Sequence, residues 1–255
     1  MEIYQPPIGT PIQDLDTPCL LVDVDALEHN FGLVAETYRD AHCKMREHAK
    51  NIKSPVVAHM QIRAGGTMGG VCTAKVSEAE VMVAGGINDI LVTSQIPTRD
   101  KLDRLAALAK RADIKVVVDD KRNLQDLSDS AQSIDATVGV LIEVDTSMSR
   151  GGIRRVEEGV ELARQAVKSP GIAFRGVMSH QSLAGTPDKE TRIIEGRRYI
   201  QMCLDVKDAV EAAGIPVEIV STGETWTYDV AADIPGVTEV EGGTYALMGT
   251  EYSHM

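Results

Sequence analysis

From Thr17 onward the chain alternates short apolar runs with longer stretches of helical periodicity, and no linker or shift in composition interrupts the rhythm. The runs are CLLVD (19–23), CKMREH (43–48), GGVC (69–72), DILVTS (89–94), IKVVVDD (114–120), TVGVLIEVD (137–145), FRGVMSH (174–180) and VEIVS (217–221). Most are continuously apolar rather than alternating, as a parallel sheet covered on its faces by helices requires. Repeated strand-helix units predict an α/β fold, and a closed (β/α)8 TIM barrel suits both the count and the 255-residue length. An open doubly wound sheet is the alternative, but no GxGxxG fingerprint follows the early runs. The barrel is expected over 17–236, after an extended Pro- and Gly-rich arm (1–16). The tail, 237–255, reads as a return strand or as the start of a C-terminal β domain that is largely absent from this chain.

Local punctuation supports the helices. Leu27, Phe31, Val34 and Tyr38 form one apolar stripe. Ser54 and Pro55 read as N-cap and first helical residue, Ser77 as a second N-cap, and Gly85-Gly86 as a stop.

The net charge of −12 repels a phosphate backbone, so nucleic acid is excluded as a partner, and a phosphate on a small ligand would have to be held by local donors. Cys19, Cys43, Cys72 and Cys203 lie far apart without a CxxC pair, which reads as reduced, mostly buried thiols. The first residues lack a leader pattern and no apolar run reaches membrane-spanning length, so no membrane is expected and the cytoplasm is the default location.

In a barrel of this kind function sits just after each strand. Those positions carry His48 and Lys50, Thr73 and Lys75, Thr93 to Gln95, Asp119 and Asp120, Glu143 and Asp145, His180 and Gln181, and Ser221 to Thr225. Lys50 follows its strand directly and should stand at the barrel mouth, whereas Lys53 falls at the edge of the helix start. A lysine there can clamp phosphate, form an ion pair or act as a Schiff-base amine, and the residues alone leave an exposed basic turn equally open. VSTGETWTY (220–228) and EGGTYALM (241–248) could cradle a phosphate or be ordinary Gly-containing turns.

Taken in order, DTPCLLVDVDALEHN (16–30), REHAKNIKSP (46–55), GGVCTAKVSEAEVMVAGGINDILVT (69–93), EVDTSMSRGGI (143–153) and EVEGGTYALM (239–248) resemble the fold-type III pyridoxal-phosphate enzymes with an alanine-racemase-like barrel. The similar branch is that of D-threonine aldolase, D-3-hydroxyaspartate aldolase and eukaryotic-type D-serine dehydratase. The resemblance implies pyridoxal 5'-phosphate carried on Lys50, with Arg150 facing the pyridine nitrogen and keeping it unprotonated. It also implies a phosphate site of Thr222, Gly223, Thr225 and Tyr245. The implied activity is a lyase on D-3-hydroxyamino acids: a base removes the hydroxyl proton and the Cα–Cβ bond breaks to glycine and an aldehyde, or the hydroxyl is expelled in a dehydration. His48 and His180 are candidates for acid–base or ring-contacting roles, a structural role being equally open for each. A homodimer in the cytoplasm is expected. A single-barrel pyridoxal-phosphate-binding protein with little catalysis is the alternative, and an amino-acid racemase the third.

The chain departs from the family pattern in places. Glu47 and Ile52 replace a proline and a histidine around the lysine, STGETW replaces a glycine run and puts Glu224 beside the phosphate, and SHQSL puts His180 and Gln181 where an aromatic-histidine pair is usual. Family members continue into a β-rich domain with metal ligands, and His254 offers no replacement. A divalent metal (Mn, Mg or Zn) is therefore expected only if that domain is present.

Overall fold

The computed structural model describes residues 5–183, 186 and 188–247. Strands β1 (Lys44–His48), β2 (Thr67–Thr73), β3 (Asp89–Val92), β4 (Asp113–Val118), β5 (Val138–Asp145), β6 (Ile172–His180), β7 (Ile219–Thr222) and β8 (Glu239–Val240) pair in chain order, all in parallel, and β8 returns to β1 to close the ring. Around them run α1 (Val24–Thr37), α2 (Pro55–Ala64), α3 (Val76–Ala84), α4 (Arg99–Ala109), α5 (Lys121–Ser133), α6 (Val156–Lys168), α7 (Lys189–Ala212) and the short α8 (Tyr228–Ala231). The (β/α)8 barrel expected from the alternating runs is the fold observed.

Two apolar layers hold it. Cys72, Leu91, Val117, Leu141, Met178 and Ile219, one from each of β2 to β7, fill the barrel interior. A larger core lies between sheet and helices and takes up the Leu27, Phe31, Val34 and Tyr38 stripe. Ser54 caps α2 through the Val57 N–H, with Pro55 as its first residue.

The barrel floor, at the strand N-termini, is ionic. The buried Arg46 guanidinium donates Nε and Nη2 to the Glu239 carboxylate and Nη1 to Asp89, each at 2.8 Å. The buried Lys115 ammonium reaches Asp89 and Asp113, also at 2.8 Å. Charges this deep are tolerated because each has a hydrogen-bonded partner of opposite sign. Position 70 must be glycine for the same reason: a Cβ there would lie 2.5 Å from the Asp89 carbonyl and 2.6 Å from Arg46 Nη1.

Three sequence expectations need correction. CLLVD is not a barrel strand: Leu20 is 99% exposed, Leu21 and Val22 are exposed, and the segment runs directly into Asp23, which caps α1 through the Ala26 N–H. The eighth strand is instead Glu239–Val240, so the barrel extends past 236, and two residues are too few to show a period in sequence. Ser77 is not an N-cap, because α3 begins at Val76 and Glu78 Oε2 takes the Ala74 N–H at 2.8 Å. Residues 1–4 of the arm, 248–255 of the tail, and His254 with them, lie outside the described residues.

Candidate active site

Lys50 and Lys53 separate clearly. Lys53 is in the left-handed region (φ 46°), its side chain is 64% exposed, and its ammonium donates to the Lys50 carbonyl at 2.7 Å and pairs with Glu78 at 3.2 Å. Lys50 is half-buried beyond the end of β1, and its charge bears on four groups: His48, His180, Glu224 and Glu241. The loop that carries it is fixed from below and from the side. Ala49 N–H donates to the Cys72 carbonyl at 2.8 Å, His48 N–H to the Gly242 carbonyl at 2.7 Å, and Asn51 Nδ2 to Thr244 Oγ1 at 3.2 Å. Gly243 allows this contact between loops, since a Cβ would sit 2.8 Å from the His48 carbonyl oxygen.

The two histidines sit in different surroundings. His48 is buried, with Nε2 3.0 Å from Thr93 Oγ1 and the Lys50 N–H reaching toward Nδ1 at 3.5 Å. Burial and then the Lys50 charge hold its pKa well below the ordinary imidazole value. His180, at the end of β6, has no hydrogen bond to its ring among the described residues, and burial followed by the charges of Lys50 and Arg150 pushes it down to about 4. Both rings are therefore neutral at neutral pH.

Arg150 is 55% exposed and reaches Glu143 at 3.8 Å. Glu143 in turn takes a short hydrogen bond from the Gln95 carboxamide. Burial outweighs the Gln95 hydrogen bond and raises the Glu143 carboxyl above its usual range.

The loop after β7 differs from expectation in detail. Thr222 shares its hydroxyl with Ser179 at 2.7 Å and Gln181 at 2.8 Å, beside Cys203 of α7, so this side chain is committed between sheet and helix and not turned into the mouth. Gly223 has φ 95°, a backbone that favours glycine, and Thr225 accepts the Gly243 N–H at 3.3 Å while keeping its own proton to give. The Tyr245 ring packs edge-on against Phe31, centroids 6.2 Å apart, and its hydroxyl lies beside Glu47 and Gln61 in the outer core. That position follows from strand alternation: Arg46 and His48 face the barrel interior, so Glu47 and the tyrosine that meets it face the helices.

Glu224 folds back on its own turn. Its Oε2 accepts the Trp226 N–H at 3.0 Å and its Oε1 is buried without a hydrogen-bond partner among the described residues. Burial raises the carboxyl to about 8, which leaves it uncharged at neutral pH and removes the repulsion expected beside a phosphate. Sequence reasoning missed Glu241. This buried carboxyl takes the Ser221 hydroxyl at 2.7 Å, leaves Oε2 without a partner among the described residues, and is likewise raised to about 8 by burial. The alternation of Glu239 and Glu241 about Val240 was the available signal that both point inward.

An amine, a guanidinium, a threonine hydroxyl with glycine backbone, and two carboxyls with an orphaned oxygen each make a donor set that fits a phosphorylated aldehyde cofactor. Among the described residues no three His, Cys, Asp or Glu side chains are grouped to hold a metal ion. No helix among them is long and apolar enough to cross a membrane.

Residues 22–250 match the model of the alanine racemase N-terminal domain. The chain is 37% identical to a 3-hydroxy-D-aspartate aldolase of Paracoccus denitrificans (strain Pd 1222), over 97% of this chain and 64% of that protein. It is 31% identical to a D-threo-3-hydroxyaspartate dehydratase of Delftia sp. (strain HT23), over 91% of this chain and 61% of that protein. Among solved structures, the D-threonine aldolase from Filomicrobium marinum superposes with a TM-score of 0.90 at 33% identity, covering 95% of this chain and 65% of that one. The chain thus spans somewhat less than two thirds of the length of each of these relatives.

Proposed function

The chain belongs to the alanine racemase N-terminal domain family, and from that membership we propose that it is the barrel of a pyridoxal-phosphate-dependent lyase acting on D-3-hydroxyamino acids, with aldol cleavage its reaction. The observation that carries the reading is that Lys50 after β1, Arg150 after β5 and His180 at the end of β6 lie at the same C-terminal mouth of the barrel, the His180 ring neutral and without a hydrogen bond among the described residues. The named activities of its relatives, two aldolases and a dehydratase, support the same class.

In this reading Lys50 would supply the amine that holds the cofactor. Arg150, which reaches Glu143 at 3.8 Å, would offer a permanent positive charge to the cofactor ring. Thr225 and the Gly223 backbone take the phosphate. When bound, pyridoxal phosphate supplies the electron sink for the breaking bond. His180, neutral at working pH, accepts the substrate's 3-hydroxyl proton; the Cα–Cβ electron pair moves to Cα, and a proton returned to Cα completes glycine beside the released aldehyde. The proposal includes a homodimer in the cytoplasm, and a divalent-metal requirement that rests on chain beyond the barrel.

The test is the visible spectrum of the protein mixed with pyridoxal phosphate, then borohydride reduction and peptide mapping. A coloured adduct on Lys50 supports the reading, and no colour or an adduct on Lys53 overturns it. Assays of D-threonine, D-3-hydroxyaspartate and D-serine with and without Mn, Mg or Zn then separate aldolase, dehydratase and a carrier that binds without turnover. Sedimentation analysis decides the dimer, and fractionation of the source cells the location.

A further inference from the structure

The hydrogen bonds around His48 fix the direction of every proton along them. A backbone N–H can only donate, so the Lys50 N–H, 3.5 Å from Nδ1, requires a bare lone pair on that nitrogen. In a neutral ring the proton then belongs to Nε2, which faces Thr93 Oγ1 at 3.0 Å. Thr93 must accept, and its own hydroxyl proton goes to the Thr73 carbonyl at 3.3 Å, which also takes the Thr93 N–H at 2.8 Å. The line runs one way, from the Lys50 backbone through the imidazole and a hydroxyl to a carbonyl of β2. Both ring nitrogens are used, and the ring is buried.

We propose that His48 is a positioning residue for Lys50, held as the Nε2–H tautomer by Thr93, and that it exchanges no proton with substrate. This rests on Lys50 being the cofactor amine. Of the two imidazoles beside that lysine, one is spent on holding the turn, and only His180 is left for proton transfer.

Two measurements test it. In the full chain labelled with 15N-histidine, the His48 ring, assigned by its disappearance in His48→Asn, is expected to show the Nε2–H pattern at neutral pH. An Nδ1–H pattern or an imidazolium overturns the proposal, with or without cofactor. The second measurement is the rate at which Lys50 captures pyridoxal phosphate in two variants. Asparagine places its oxygen where Nδ1 stands and can still accept the Lys50 N–H, whereas glutamine reaches Thr93 and leaves that N–H alone. His48→Asn is expected to capture within about threefold of the parent and His48→Gln about tenfold more slowly, the effect of one hydrogen bond. Equal rates for the two variants overturn the positioning role. If the parent captures no cofactor, the functional reading has failed, and the tautomer still decides the proton line.

Discussion

The Lys53 ammonium donates to the backbone carbonyl of Lys50 at 2.7 Å, so one lysine of the pair braces the turn that presents the other. Its remaining partner, Glu78, is contacted from a side chain that is mostly in solvent, and an exposed pair of this kind contributes about 0.2–1 kcal/mol. Lys53→Ala loses both this pair and the hydrogen bond to the Lys50 carbonyl, and is expected to keep cofactor capture and lose about 1–3 kcal/mol in urea unfolding. Lys50→Ala is expected to fold normally and take up no colour. Capture by Lys50→Ala but not by Lys53→Ala would reverse their roles.

Glu224 predicts how binding depends on pH. Its carboxyl, raised to about 8 by burial, is neutral below that pH and becomes an anion beside the proposed phosphate site above it. Cofactor affinity by equilibrium titration should hold to about pH 8 and fall beyond it. Glu224→Gln, which keeps the shape and cannot ionise, should retain more of that affinity at pH 9 than the parent does. Glu241, also near 8, sets a shared remainder, so a variant that tracks the parent across the whole range would show that Glu224 is not the group responsible.

Stability should also follow pH, with a sign fixed by the direction of the shifts. Glu47, Glu224 and Glu241 are raised from 4.5 to about 8 by burial, so the folded chain keeps protons that the unfolded chain has released. Their contribution is complete below about pH 4.5 and is lost as pH rises through 8. His48 and His180 are lowered, so their contribution is complete above 6.5 and is lost as the pH falls, for His180 through about 4. Only the carboxyls act between pH 6.5 and 8, and the Tm is expected to decline across that window. Glu47→Gln, remote from the mouth, should make the decline shallower; a flat profile in the parent would mean these carboxyls are ionised inside the fold.

The ionic floor can be dissected by substitution. Arg46→Met leaves the Glu239 carboxylate buried without its bidentate partner, and removal of one member of such a pair costs about 3–5 kcal/mol. Asp89 still has Lys115 in that variant. The double variant Arg46→Met with Glu239→Leu should recover most of the loss, because neither charge then remains to be desolvated. If the double variant is as unstable as the single one, packing rather than charge pairing holds the floor.

Much of the fold was legible because parallel strands covered on both sides leave apolar runs, plainest in β3, β4 and β5, whereas β1, KMREH, holds one apolar residue and was found by its place in the rhythm. CLLVD misled because an exposed apolar segment has the same composition as a buried one, and periodicity does not report burial. Glu239–Val240 fell in the tail read as a return strand or the start of a further domain, and its place as the eighth strand was hidden because it has two residues and the one facing inward is a glutamate paired with Arg46. At the mouth, position after a strand located Lys50, His48 and His180. The family resemblance put the hydroxyl of Thr222 and the ring of Tyr245 at the phosphate, whereas strand alternation turns Thr222 toward α7 and Tyr245, in the 3-10 turn after β8, packs on Phe31 of α1. The partnering of Glu224 with its own turn needed coordinates, since a capping carboxyl and a repelling one are the same letter.

The shortness of β8 has a mechanical corollary. Between β7 and β8 the ladder registers one residue pair, Ser221 with Glu239, and between β8 and β1 two, against eight between β5 and β6. The ring is thus closed at its thinnest joint by a few backbone hydrogen bonds, from the N–H groups of Thr238, Glu241, Lys44 and His48 to the carbonyls of Val220, Gly223, Thr238 and Gly242, with the side-chain pairs Glu239–Arg46 and Ser221–Glu241 beside them. Lys50 stands on one side of that joint and the Gly223–Thr225 loop on the other, so any molecule gripped by both acts as a rivet across it. Amide exchange in residues 219–223 and 239–243 should slow on loading more than anywhere else in the barrel, making the seam itself a sensor of occupancy.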